Sequence, residues 1–269
     1  DLLAQPPERR RLLAGNHRRY HTLGFASVLL EEIPDLWHED PPGARELAEL
    51  ALTVLHALCR ATYRPDVVHD FTARAWAYLG NSHRILSDLP EADRCFRQAE
   101  RHLDLGSGDP LDAARVFDLE ASLRRAQRRF AEAKALLDVA LAIYRSLNDP
   151  QQEARVSINK AILMDKTGES HEAVELLDRL CRRFGPEEIG ERNYLCAQHN
   201  LAMALLGQGF PRRVRDLLPD LRRLADELGP RQERVRVDWL EALVAHKLGD
   251  HEPAERLYRQ VGSFFAEHG

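Results

Sequence analysis

Small and large apolar residues return along this chain at one long interval, and that interval predicts its architecture. Taking Ala92 as a reference, Ala133, Ala173, Val214 and Ala254 follow at steps of 41, 40, 41 and 40 residues. Four residues further on stand Phe96, Leu137, Leu177, Leu218 and Tyr258, all large. Twelve residues before the reference stand Gly80, Ala121, Ala161, Ala202 and Ala242, all small. Small residues at two fixed positions let two helices approach closely, and the large ones fill the space toward the next pair. No such pair buries its apolar face alone, so the pairs must stack. A step of 41 back from Ala92 reaches Ala51, followed by Leu55 and Leu58, which adds a sixth, degenerate pair at the N-terminus.

Breakers fall where this interval demands turns. Asp88-Leu89-Pro90-Glu91, Asp109-Pro110 and Asp149-Pro150 open helices; Gly168, Gly207-Gln208-Gly209 and Gly249-Asp250 mark turns within pairs; Gly185-Pro186 and Gly229-Pro230 mark turns between pairs. First helices of the pairs are expected over 66–87, 110–128, 150–167, 187–207 and 230–248, and second helices over 90–105, 130–147, 170–184, 211–228 and 251–267. The first 62 residues read as a helix over 8–32 ending near Pro34, a loop at Asp40-Pro41-Pro42-Gly43, and a helix over 44–61. No alternating Val/Ile/Thr-rich run of strand length occurs.

One unit is complete enough to compare with a known motif. Trp76-Ala77-Tyr78-Leu79-Gly80, followed by Ala92, Phe96 and Ala99, resembles the tetratricopeptide (TPR) signature of a large residue, Leu-Gly, Ala, an aromatic residue and Ala. The resemblance implies an all-α fold, a right-handed α-solenoid of stacked antiparallel helix pairs with about six hairpins. It divides the chain into a capping hairpin at 1–65 and five repeats at 66–107, 108–148, 149–186, 187–229 and 230–269. The period of 40–41 is longer than the usual ~34. Long-period arrays resemble those of bacterial transcription and signalling regulators that sense peptides or small ligands.

Charge and composition narrow the function. A net charge of −5 argues against a direct nucleic-acid binder. Cys59, Cys95, Cys181 and Cys196 are scattered without a CxxC pair, which fits reduced thiols and a cytoplasmic location. No apolar run is long enough to span a membrane. The chain opens at Asp1 rather than Met, which leaves room for neighbouring segments in a longer protein.

The candidate chemistry is sparse. His17 and His21, four apart on an expected helix, share a face, but no third ligand accompanies them. Cys196 and His199, three apart, read as a packed thiol and a groove-facing imidazole rather than a nucleophile and base. His171-Glu172-Ala173-Val174-Glu175 lacks the second histidine of a zinc helix, and no phosphate loop or nucleophile elbow occurs. We therefore expect no catalytic residues, no metal and no cofactor, and read the chain as a non-enzyme.

In TPR arrays the first helix of each pair lines a concave groove that takes peptides, and the resemblance places the same surface here. Eighteen residues before the reference lie Arg74, Arg115, Arg155, Cys196 and Arg236. Fourteen before lie Tyr78, Leu119, Asn159, Asn200 and Leu240; eleven before lie Asn81, Ser122, Ile162, Met203 and Leu243. A column of guanidiniums suits carboxylates or phosphates. The alternative use of that column is ion pairing between repeats, for instance with Asp118 or Glu153. The groove residues singled out for a partner are Arg74, Tyr78, Asn81, Arg115, Arg155, Asn159, Asn200, Met203, Arg236 and Trp239. The implied function is a scaffold or adaptor holding a protein or peptide, with acidic groups in that partner. The competing reading is a ligand- or peptide-sensing module of a larger bacterial regulator. No motif encodes the partner's identity or an oligomeric state.

Overall fold

The computed structural model describes residues 2–59 and 61–268. Asp1, Arg60 and Gly269 lie outside them; these are the two chain ends of the 1–65 and 230–269 spans and one residue of the expected 44–61 helix. Among the described residues there are fourteen α-helices, one short 3-10 turn and no strand. The helices are α1 (Pro7–Asn16), α2 (Leu23–Glu39), α3 (Pro41–His56), α4 (Pro65–Ile85), α5 (Leu89–Asp104), α6 (Pro110–Ala126) and α7 (Phe130–Ser146). They continue with α8 (Pro150–Lys166), α9 (Ser170–Arg183), α10 (Pro186–Ile189), α11 (Glu191–Gly207), α12 (Pro211–Leu228), α13 (Arg231–Leu248) and α14 (His251–His268). The fold is all-α, of the helical-repeat solenoid class, and divides into two compact units, Asp1–Ile143 and Tyr144–Gly269.

The repeat is written most sharply in its turns. Five residues before each reference position the backbone enters the left-handed region: Ser87 (φ 65°), Arg128 (61°), Gly168 (85°), Gly209 (82°) and Gly249 (91°). Each turn is closed by the same bond, from the amide one residue on to the carbonyl five residues before it. These are Asp88 to His83 (2.8 Å), Arg129 to Arg124 (2.8 Å), Glu169 to Met164 (2.8 Å), Phe210 to Leu205 (3.0 Å) and Asp250 to Ala245 (2.9 Å). This 6→1 closure satisfies a carbonyl that the helix end leaves open. The reference residues themselves pack inside: Ala92 and Ala133 at 0% exposure, Ala173 at 1%, Val214 at 0% and Ala254 at 2%. The small column twelve residues earlier has a steric reason, since a Cβ on Gly80 would stand 3.0 Å from the Phe96 ring.

In the first unit, α2 and α3 form a pair against which α4 packs, α4 pairs with α5, and α6 sits against both. Polar ties cross these packings. The Trp37 indole donates to Ser82 Oγ at 3.2 Å, and Asp70 Oδ1 accepts from the Ser107 amide at 2.9 Å. Buried Arg124 bridges Asp93 and Glu120 at 2.5 Å each, joining α5 to α6. In the second unit, α8 pairs with α9, α11 with α12 and α13 with α14, and α11 also contacts α8, α9 and α13. Its core runs through Ile158, Leu177, Leu201, Leu205, Leu221 and Leu240.

Three sequence expectations are corrected. The helix over 8–32 is two helices, because the chain turns at His17–His21 and Thr22 caps α2 by accepting from the Phe25 amide at 3.1 Å. Pro34 does not end that second helix, which runs on to Glu39, and the expected loop at Asp40–Gly43 is a one-residue joint. Asp40 caps α3 through the Gly43 amide at 3.0 Å, with prolines in the first turn where no amide is missed. The helix over 187–207 is interrupted at Gly190, where φ is 82°, leaving a single turn, α10, ahead of α11.

Candidate functional site

Within the second unit the first helices of three successive pairs, α8, α11 and α13, surround a cavity of about 270 Å³. Ile162, Asp165 and Lys166 come from α8, His199, Asn200 and Met203 from α11, and Trp239 from α13, over a floor of small and apolar residues that includes Ala173 and Leu177 of α9. The convergence follows from the register. His199 and Trp239 both stand fifteen residues before their reference positions, Asn200 fourteen, and Ile162 and Met203 eleven. Equal offsets on neighbouring helices bring equivalent faces to one wall.

The chemistry of this cavity is mixed. Trp239 keeps 38% of its surface exposed, large for an indole in a helical array. Asn200 Nδ2 donates to the Cys196 carbonyl at 2.7 Å, which fixes the amide and turns its oxygen outward from that bond. His199 Nε2 is buried without a hydrogen-bond partner. Burial first, then the Arg236 guanidinium, holds the His199 imidazole below its ordinary pKa, with Glu233 opposing, so the ring is neutral near pH 7. Asp165 accepts from Ser170 Oγ at 2.7 Å. The neighbouring Cys196 thiol is pushed up by burial, which makes it a packing group rather than a thiolate.

The arginine column behaves differently. In each case the side chain reaches three residues back along its own helix. Arg74 stacks over Phe71 at 4.7 Å, Arg115 pairs with Asp112 at 3.2 Å, Arg155 Nε donates to Gln152 at 2.8 Å, and Arg236 pairs with Glu233 at 3.2 Å. Helical side chains lean toward the preceding turn, which makes the residue one turn back the nearest partner. Glu153, considered as a partner from the adjacent repeat, instead accepts from Arg145 and Arg183. Tyr78 packs edge-on against Trp37 at 5.2 Å, and Asn81 is 3% exposed with its Oδ1 taken by Arg84 at 2.8 Å. Asn81 is an interior group of the first unit, and Tyr78 is half-buried there. Asn159, half-buried on α8, is held by interactions of its own.

The two histidines considered as a metal pair are apart in role. His21 bonds the Ala14 carbonyl at 2.9 Å, and His17 packs against Tyr20. No group of three or more metal-ligating side chains gathers among the described residues, and no helix there is long and apolar enough to cross a membrane.

Helix pairs at a 40–41-residue interval, closed by one repeated turn, make a tetratricopeptide-like helical-repeat fold, and solved structures share that fold. A kinesin-light-chain array of nearly identical TPR-like repeats from Podosopora anserina matches with a TM-score of 0.54 at 21% identity, covering 84% of this chain and 99% of that one. Aspartyl phosphate phosphatase F from Bacillus subtilis matches with a TM-score of 0.70 at 12% identity, covering 98% and 67%. A STAND signal-transduction ATPase with a tetratricopeptide repeat sensor, from Pyrococcus horikoshii, matches at 0.65 and 13% identity, covering 94% of this chain and 40% of that one. No family model and no curated protein matches.

Proposed function

We propose that the chain is a protein-interaction module that holds an extended peptide segment in the groove of its second unit. The observation that carries this reading is the cavity of about 270 Å³ into which Ile162, His199, Met203 and Trp239 converge. An apolar side chain of the partner enters there, and the Asn200 carboxamide is placed to bond its backbone. Lys166 stands at the same wall beside Asp165, and Arg236, next to His199, is paired with Glu233, so the wall carries both signs of charge and a partner with mixed charged and apolar residues around the anchor fits it. The four unpaired thiols suit a reducing compartment, and we place the protein in the cytoplasm.

The test is partner capture by the whole chain, followed by titration of the captured partner. Trp239→Ala removes a half-open aromatic wall and should weaken binding by roughly tenfold or more, as truncated interface aromatics do. Helicity and melting temperature are read alongside, so that lost binding is separated from lost packing of an indole that is 38% exposed. Undiminished binding by Trp239→Ala and by Asn200→Ala would place the partner elsewhere.

A second reading draws on one neighbour. The structure whose name includes a tetratricopeptide repeat sensor covers 94% of this chain with only 40% of its own length. By that analogy the chain serves as the peptide- or ligand-sensing part of a larger regulator. Fusion of the chain to an effector domain in its gene would favour this reading, and a stable partner held by the isolated chain would favour the first.

A further inference from the structure

Ser157 of α8 is 0% exposed, and its hydroxyl has no hydrogen-bond partner. Buried hydroxyls are ordinarily bonded, so this one asks what it serves. It lies on the wall of a recess of about 30 Å³, room for a single oxygen atom or water rather than a side chain. Around the mouth stand three guanidiniums and one carboxylate: Arg145 from the end of α7, Arg179 and Arg183 from α9, and Glu153 from α8.

The four charged groups are arranged rather than scattered. Glu153 Oε1 accepts from Arg145 Nε at 2.8 Å and from Arg183 Nη1 at 3.0 Å, so a single oxygen draws two guanidiniums together. Each arginine spends one of its five N–H groups on that oxygen and keeps the rest. Arg183 also stacks over the Phe184 ring at 4.5 Å, which steadies the plane of its fork. Arg179, exposed at the same rim, has no ion-pair partner among the described residues. Three positive charges against one negative leave an excess of two. Leu180, 4% exposed, gives the recess an apolar side that strengthens charge contacts across it.

We infer that this recess is a binding site for a phosphoryl dianion, one oxygen seated against the Ser157 hydroxyl and the others held by the outer edges of Arg145, Arg179 and Arg183. Planar guanidinium forks match phosphate oxygens in pairs, and the excess of two charges matches a dianion. The site is separate from the peptide groove. Ser157 and Ile162 are five residues apart on α8, about 140° around the helix. Binding here therefore stands or falls independently of the proposed function.

The experiment titrates inorganic phosphate into the whole chain at ionic strength held constant with chloride, read by calorimetry and by NMR shifts of backbone amides. A second arm uses a phosphoserine peptide. The site predicts saturable one-to-one binding, with amide shifts confined to the ends of α7 and α9 and the first half of α8. Arg179→Gln should weaken it roughly tenfold or more, the scale of one lost charge-assisted contact. This variant changes an exposed side chain, so the fold is preserved. Ser157→Ala should weaken binding with helicity intact, and Trp239→Ala should leave it unchanged. Saturation by phosphate assigns the free anion, and saturation by the peptide alone assigns a phosphorylated protein; both uphold the site. A response no different from chloride in both arms, or full affinity in the Arg179→Gln/Arg183→Gln double variant, overturns it.

Discussion

Five turns of one geometry, filled by three glycines and two other residues, give a clean perturbation. At Ser87 and Arg128 an L-residue carries a left-handed backbone, with φ of 65° and 61°. That conformation costs roughly 1–2 kcal/mol for a residue with a Cβ. Replacing Arg128 by glycine removes the strain and raises the entropy of the unfolded chain, which takes back about 0.4–1 kcal/mol. The net gain is about 0.5–1 kcal/mol. Nothing offsets it in the folded state: Arg128 is exposed, and the closing bond from the Arg129 amide to the Arg124 carbonyl is a backbone bond that survives the change.

Gly168 supplies the mirror experiment. Its φ is 85°, and a Cβ built there meets nothing within 4 Å, so alanine at this position adds strain without a clash. Gly168→Ala should therefore cost about 1 kcal/mol, and Arg128→Gly should raise the melting temperature by about 1–4 °C in a chain of this size. Circular dichroism melts and urea unfolding of both variants, singly and combined, measure the pair. If Arg128→Gly melts lower than the parent, or Gly168→Ala melts higher, backbone strain does not govern these turns.

Three further outcomes follow. Ala133, at 0% exposure, sits where a helix pair meets, so Ala133→Leu should overpack it and cost about 1–3 kcal/mol; an unchanged melt would show the register to be misplaced. His199 has a folded pKa below its unfolded value of about 6.5, so as pH falls through that value the unfolded chain takes up a proton the folded one refuses, and stability drops. Urea midpoints at pH 5.5 and 7.5 should differ less in His199→Gln than in the parent, and equal differences would remove His199 from the account. Cys59 is exposed and its thiol pKa is lowered by hydrogen bonding to Thr62, while burial pushes Cys95 and Cys181 up to about 12; a thiol reagent at pH 8 should label Cys59 first, and labelling of Cys95 in the folded protein at the same rate would contradict the packing.

The repeat was legible because steric necessity wrote it. Gly80 cannot carry a side chain against Phe96, and Ala92, Ala133 and Ala173 cannot grow without parting two helices, so the small columns are visible in composition alone. Segments governed by tertiary packing were not. Pro34 removes one backbone bond from α2, yet Leu29, Leu30 and Ile33 before it are buried on a face that continues beyond, and burial outweighs the missing bond. Gly190 interrupts a stretch whose periodicity runs straight through it. The left-handed positions at Ser87 and Arg128 carry no glycine to signal them; their equal distance from Ala92 and Ala133 marks them.

The candidate site shows the same division between position and use. Equal offsets do say that Arg74, Arg115, Arg155 and Arg236 occupy equivalent places on their helices, but an offset carries no information about the neighbour one turn back. Those neighbours are Phe71, Asp112, Gln152 and Glu233, and each engages its arginine. A guanidinium already stacked or paired offers a partner fewer donors, so the repetition of arginine is better evidence of helix-surface pairing than of a ligand. The offsets of fifteen and eleven are the informative ones in the second unit. There the sequence departs from repetition, with His199, Trp239 and Met203 where earlier repeats place Ala77, Ile158 and Asn81. Ala77 and Ile158 are buried at 1% and 7%, whereas Trp239 stays open to solvent and His199 keeps an unbonded nitrogen beside the cavity. In a stacked array the repeated columns are spent on holding the stack together, and the capacity to bind lies where a column is broken by a residue that packing does not require.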